Sequence, residues 1–279
     1  MSPHPVAVIC RVLGVSRSSA YRAAAPRGPR YHRQDDERVA GQIRVVVKNR
    51  ATYGHRRVTA RVNQLFGTRY NRKRIRRVMQ LYGLTLPKVN RRRGRAHTGR
   101  IMRDCSNERW CSDELLIPCW SGEVVHVAFV LDCHDREVLA QVAAARPLLA
   151  TDIQELMRRA VTHRFGDLQP QEPIQWLSDN GSIYTALATE WMAEQLHLQP
   201  ITTPASSPQS NGMSEAFVNT LKRDYVDGAD CSTAARVLHQ LERWLQDYNE
   251  VAPHSALGYR SPRQYRRERT SKEAQMLNV

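Results

Sequence analysis

The run Trp110-Cys-Ser-Asp-Glu-Leu-Leu-Ile-Pro-Cys119, followed by Val124-Val-His-Val-Ala-Phe-Val-Leu131, decides the fold class. Both runs read as strands, the second rich in Val and Phe. Turn-forming Ser121-Gly122 and His134-Asp135 separate them from each other and from a third strand-like run at 137–142, so an antiparallel meander is expected. An amphipathic helix should follow, with Thr151 and Gln154 as a capping box and Ile153, Leu156, Met157, Ala160 and Val161 on its apolar face. Beyond it come a short strand at 173–177 ending in Ser178-Asp179-Asn180-Gly181, a helix at 186–196, a strand at 197–202 and, past a Ser/Pro/Asn/Gly loop, a helix from Met213. Three hairpin strands and then alternating helix and strand predict an α/β layer whose strand ends gather polar groups.

Three acids occupy distinct places in that plan. Asp113 lies inside the first strand, where a carboxylate facing the core unpaired is costly, although strand alternation lets either Asp113 or Glu114 face outward. Asp179 sits just past the fourth strand, in an Asp-Asn-Gly that also makes an ordinary turn. Glu215 falls in the first turn of its helix, off the apolar stripe Met213, Phe217, Leu221 and Tyr225, at a position the helix dipole favours for any carboxylate. Asp132, one strand over, is a rival acid. The 35 residues between Asp179 and Glu215 decide nothing alone, because acids are frequent in this half of the chain.

Outward from this region the composition changes. Of 42 Lys and Arg against 27 Asp and Glu, residues 1–100 hold 25 basic side chains and only Asp35, Asp36 and Glu37 as acids, whereas residues 101–279 are net acidic. A basic front suits a polyanion such as nucleic acid, since released counterions drive binding. Clustered carboxylates at the back call for something cationic to offset them. With 279 residues and 41% hydrophobic composition, a proper core is expected. No apolar run approaches the roughly 18 residues of a membrane span, and 6–10 is too short for a signal peptide, so no membrane is expected and the cytoplasm is the expected compartment. The six cysteines form no CxxC pair and read as reduced, partly buried thiols.

The basic front reads as DNA-binding helices. An apolar run from Val6 to Leu13, a break at Gly14, and Ser16 placed to cap a helix through Tyr21 outline a helix-turn-helix. A second unit opens at Tyr53-Gly-His-Arg-Arg57, continues through Val58, Val62, Leu65 and Phe66, breaks at Gly67 and resumes after Asn71 as N-cap. In its second helix Ile75, Val78, Met79 and Tyr82 form the stripe and Gly83 the stop, leaving Arg72, Lys73, Arg76 and Arg77 on exposed flanks. With almost no local acid to pair with, these residues and Arg56 and Arg57 are expected to contact phosphates. Arg91, Arg92 and Arg93 lie in a basic linker expected to track the DNA backbone. The boundaries so read are 1–34, a helix-turn-helix-like segment; 35–87, a basic helical module; 88–104, a linker; 105–230, the catalytic core; and 231–279, a C-terminal helix and basic tail. In that last segment Val237, Leu241, Trp244, Leu245 and Tyr248 form a stripe for packing, and residues 260–272 are read as a tail that touches DNA or stays disordered.

The ordered set Trp110-Cys-Ser-Asp113, Leu177-Ser-Asp179-Asn-Gly-Ser182 and Ser207-Pro-Gln-Ser-Asn-Gly-Met-Ser-Glu215 resembles the catalytic signature of retroviral-integrase-like transposases of bacterial insertion sequences. The likeness is strongest to the second-reading-frame product of two-frame elements and covers nearly the whole chain. Tyr53 to Arg57 and Asn71 to Met79 match the family's upstream helices, and Tyr248-Asn249, Pro253-His-Ser-Ala-Leu-Gly-Tyr259 and Ser261-Pro262 its C-terminal motif. The resemblance implies a DDE transposase with a ribonuclease-H-like core, a mixed five-stranded sheet with helices, preceded by an all-α helix-turn-helix-type region. It implies Asp113, Asp179 and Glu215 as catalytic carboxylates holding two Mg²⁺ ions, with Mn²⁺ as substitute, and Lys222 as a contact to donor DNA. The partners it implies are insertion-sequence ends and target DNA, a second copy of the chain so that two ends can be paired, and the first-reading-frame product as fusion or partner. A bacterial cytoplasmic protein that is nucleoid-associated when bound to DNA is the matching location. Leu115 departs from the hydroxyl residue more usual in the family two positions after the first aspartate. Two further readings stay open at this point, a DNA-binding regulator with a silent back half and a nuclease that cuts without joining.

Overall fold

The computed structural model describes residues 5–18, 31–87, 103–202 and 212–277, the last six by backbone alone. Helix α1 (Val6–Val12) ends at a left-handed Gly14, as expected, while Tyr21 lies outside the described residues. Among the described residues the basic front contains three further complete helices, α2 (Asp36–Asn49), α3 (His55–Phe66) and α4 (Arg72–Leu81). The sequence reading did not single out α2, although Val39, Ile43 and Val46 recur at helical spacing and are buried. They pack with Tyr53, Val58, Val62, Ile75, Val78 and Met79 into a separate small core. Gly67 (φ +61°) stops α3, Asn71 Oδ1 caps α4 by accepting from the Arg74 N–H at 2.8 Å, and Gly83 (φ +67°) ends the basic helix. Leu65 and Phe66, expected on the apolar face of α3, are exposed there in its last turn.

The acidic back forms the predicted meander. Strands β1 (Arg109–Pro118), β2 (Val124–Asp132) and β3 (Val138–Ala144) pair antiparallel, β4 (Ile174–Ser178) pairs parallel with β1, and β5 (Leu198–Thr202) parallel with β4. The sheet order is β3-β2-β1-β4-β5. Strand alternation divides it into two buried faces. Trp110, Ala128, Val130 and Trp176 pack with Ile153, Leu156, Met157 and Ala160 of α5 (Ala150–Phe165). On the other face Cys111, Leu115, Ile117, Phe129 and Leu131 pack under Phe217 and Leu221 of α8 (Gly212–Leu221) and Val237, Leu241, Leu245 and Tyr248 of α9 (Ala234–Glu250). The α9 stripe therefore fills the same core as the sheet, with Trp244 half-buried beside it.

Two local expectations change. Helix α5 starts two residues earlier than expected, so Thr151 is not its cap, and Asp152 Oδ2 accepts from the Leu149 N–H at 2.7 Å instead. A short helix, α6 (Ser182–Thr185), precedes the extended Ala186 (ψ 133°), and the helix expected at 186–196 follows as α7 (Leu187–Gln195). The C-terminal tail is a helix, α10 (Pro262–Leu277), whose Arg263, Arg266 and Arg267 pair with Glu137 and Glu250. Five of the six cysteines are buried and all six are free, and no described helix is long and apolar enough to cross a membrane.

Candidate active site

Sheet register positions the first two candidate acids. In β1, Asp113 lies opposite Phe129 of β2 and shares the α8/α9 face with Cys111 and Leu115. Glu114 points the other way, where its Oε1 lies 2.7 Å from His126 Nδ1. Strand β4 runs parallel with Trp110 beside Trp176 and Cys111 beside Leu177. Continued two residues further, that register brings Asp179, just past the end of β4, level with Asp113. Asp179 is exposed, and its Oδ1 accepts from the Gly181 N–H at 3.0 Å. A Cβ on Gly181 would lie 3.0 Å from that same oxygen, so glycine keeps the turn open. The loop is tied back to β1 through Tyr184 of α6, whose buried hydroxyl lies 3.0 Å from Ser112 Oγ.

The third acid arrives on α8. Phe217 buries its ring 4.4 Å from the ring of Phe129, the cross-strand neighbour of Asp113, and meets Tyr248 edge-on at 4.9 Å. Glu215, two residues earlier, is exposed and off this buried stripe, as its spacing predicts. Burial raises the Asp113 carboxyl to about 6, and the negative charges of Asp179, Glu215 and Glu114 push in the same direction. Among the described residues no three His, Cys, Asp or Glu side chains already enclose a metal-sized space, so the three acids form an open set on β1, the β4 loop and α8. The donors nevertheless fit a hard divalent cation: all are carboxylates, two are solvent-accessible, and a positive ion would offset the repulsion at Asp113.

The rival Asp132 has a different task. It is fully buried and accepts from the N–H groups of Asn107 (2.7 Å), His134 (2.8 Å) and Asp135 (3.1 Å). The buried guanidinium of Arg164 sits between it (3.3 Å), Asp135 (2.9 Å) and Glu137 (3.1 Å). An acid so enclosed stabilises the corner joining β2, β3 and α5 and offers nothing to a substrate.

The expected DNA-contact residues divide in two. Arg56, Arg72, Lys73 and Arg76 are exposed, as is Lys222, which follows α8 directly in a π-helical turn, Lys222–Val226. Arg57 and Arg77 are committed within the protein, contrary to the expectation that the module lacks acids to pair with. Arg77 is bidentate to buried Asp36, and Arg57 reaches Asp224 of the catalytic half at 2.5 Å. Arg74 likewise pairs with Asp35. Arg91, Arg92 and Arg93 lie outside the described residues. The sequence reading missed a cleft of about 380 Å³ lined by Tyr31, Arg33, Arg69, Tyr70, Lys73 and Arg74. The signal for it was the Arg69-Tyr70 pair beside the Asn71 cap. Tyr184 was also passed over, because only the tertiary fold brings it to Ser112.

Known proteins share this organisation. The Integrase core domain family matches residues 103–208, a second Integrase core domain description matches 196–262, and an HTH-like domain matches 34–93. The transposase InsD for insertion element IS2 of Escherichia coli is 41% identical over 279 residues, which span 95% of this chain and 91% of that protein. The uncharacterized protein of insertion element IS136 of Agrobacterium fabrum is 48% identical over 180 residues, 64% of this chain and 92% of that protein. Among solved structures, the catalytic core domain of BIV integrase aligns with 60% of this chain and 99% of its own, at 20% identity and a TM-score of 0.42, too distant for residue-level comparison. With an HTH-like module ahead of an integrase core and 41% identity across nearly its full length, this chain belongs to the integrase-core DDE transposases of bacterial insertion elements.

Proposed function

We propose that this transposase cuts the 3′ ends of its insertion sequence and joins them to target DNA by a two-metal mechanism at Asp113, Asp179 and Glu215. One observation carries the assignment: these acids come from three elements to the central strand β1, where Asp113 is pushed up to about 6 with Asp179 and Glu215 adding to the push. Asp113 would be the shared ligand, with Asp179 and Glu215 each completing one site. Divalent ions bound there, Mg²⁺ or Mn²⁺ in its place, supply Lewis-acid stabilisation of the attacking and leaving oxygens of a phosphodiester. The family implies such metal use.

The remaining groups position DNA. Arg56, Arg72, Lys73 and Arg76 on the helical module, and Lys222 just beyond the Glu215 helix, present unburied cations to phosphate oxygens. The cleft around Arg33 and Arg69 extends the same basic surface. Ser112 and Tyr184 keep the Asp179 loop against β1, so two of the carboxylates stay adjacent before DNA arrives. Pairing two element ends requires at least two copies, and the first-reading-frame product is the proposed fusion or partner that helps find those ends.

Substitution tests the assignment directly. Asp113→Asn, Asp179→Asn or Glu215→Gln should each abolish metal-dependent cleavage and joining while the affinity for end DNA stays within about twofold. Joining retained in any one of the three would remove that residue from the site.

A further inference from the structure

The motif Tyr53-Gly-His-Arg-Arg57 opens α3 in the DNA-binding module, yet much of it faces the catalytic half. Arg57 donates through Nη1 to Asp224 Oδ2 at 2.5 Å and through Nη2 to the Thr52 carbonyl at 3.1 Å. Thr52 Oγ1 donates to the other Asp224 oxygen at 2.5 Å. Tyr53 is 1% exposed, with the Arg57 guanidinium 4.0 Å above its ring and that of Arg50 on the same ring at 5.8 Å. Arg50 continues to Asp247 of α9, whose second oxygen accepts from the Tyr225 hydroxyl at 2.8 Å.

All of these contacts converge on two consecutive residues, Asp224 and Tyr225, inside the π-helical turn Lys222–Val226. That turn is continuous with α8, so it carries Lys222 at its first position and follows Glu215 on the same helix. A π-turn holds an extra residue and loosens the regular ladder, here closed by the Asp227 N–H on the Lys222 carbonyl at 2.8 Å, so its geometry depends on outside contacts. The Asp224 side chain is 3% exposed, and Arg223 adds two more donors at 2.8 Å. Burial by itself would raise this carboxyl, but the bonds from Arg223, Arg57 and Thr52 outweigh it and hold it at about 2. A charge so enclosed is costly to leave unpaired, and two of its three side-chain partners, Arg57 and Thr52, belong to the other module.

We propose that Asp224 is a positioning residue: through Arg57 it locks the DNA-binding module onto the turn after the Glu215 helix, so that the module's grip on DNA sets where Glu215 and Lys222 stand. Arg57 thereby serves the join between modules and leaves Arg56, Arg72, Lys73 and Arg76 to face the DNA. The inference rests on the transposase function above, and wild-type joining is the control for that function. If the wild type itself fails to join a precleaved end, the parent reading fails and not this one.

The test compares Asp224→Asn with the wild type in the full chain, with thermal melts confirming folding. The rate of joining at saturating end DNA should fall at least about tenfold while the dissociation constant for that DNA stays within about twofold. The charge swap Arg57→Asp with Asp224→Arg should recover most of the loss, while Arg57→Asp alone should not. A merely structural role would lower the melting temperature without this split between rate and binding. An unchanged joining rate in Asp224→Asn, a matching loss of DNA affinity, or no recovery in the charge swap would each overturn the proposal.

Discussion

At the residue scale, Arg164 has no exposed side chain and ends among Asp132, Asp135 and Glu137, with His163, Arg263 and Arg266 adding to Glu137 from outside. Removing a partner from a buried ion cluster leaves uncompensated charge, so Arg164→Ala should destabilise the protein by about 3–5 kcal/mol in urea unfolding. A loss under about 1 kcal/mol would mean the three acids are neutralised by protonation instead. The cluster also sets a pH dependence. Burial would raise Glu137, but His163, Arg164 and Arg263 hold it at about 2 against an ordinary 4.5, and Asp224 is held at about 2 against 3.8. Both contribute stability that is complete above about pH 4.5 and is lost as pH falls towards 2. Asp113 and Asp132 lie at about 6, raised chiefly by burial, so the folded state binds protons more readily than the unfolded chain and these two favour folding as pH falls through 6. Metal-free protein should therefore unfold at the highest urea concentration near pH 5, and a midpoint that rises steadily to pH 8 would contradict this balance.

At the level of elements, the strands were legible because alternation and turn residues leave a local mark. All five appear where the sequence placed them, within two residues at their ends. The short helix Ser182–Thr185 was not legible, since four residues are too few to show a periodic pattern. The three candidate acids were singled out because their motifs surround them, and they lie on β1, in the β4 loop and on α8. The commitments of Arg57 and Arg77 were invisible for a physical reason: their acids lie 167 and 41 residues away in sequence. Tyr184 belongs to the same class of tertiary partner. Tyr184→Phe keeps the ring buried and removes only its bond to Ser112, so it should slow metal-dependent cleavage about fivefold with little change in DNA binding. An unchanged rate would show that the Asp179 loop needs no tether to β1.

Across the whole molecule, the division of charge seen in the sequence becomes a division of labour between two cores. A basic three-helix module, proposed to face phosphate, and an α/β core of the integrase type that carries the candidate acids are joined by the contacts at Asp224 and Asp247. Exposed cations act through counterion release, so replacing Arg72, Lys73 and Arg76 together by Ala should lower the slope of log affinity against log salt by about 3, while leaving the folded state intact. An unchanged slope would place the DNA on another face. The central claim is that this chain both cuts and joins DNA with metal at Asp113, Asp179 and Glu215. It is tested most directly by incubating the wild type and Asp113→Asn with Mg²⁺, target DNA and a labelled, precleaved element end. The account predicts labelled joined product from the wild type and none from Asp113→Asn; joined product from Asp113→Asn, or none from the wild type, would contradict it.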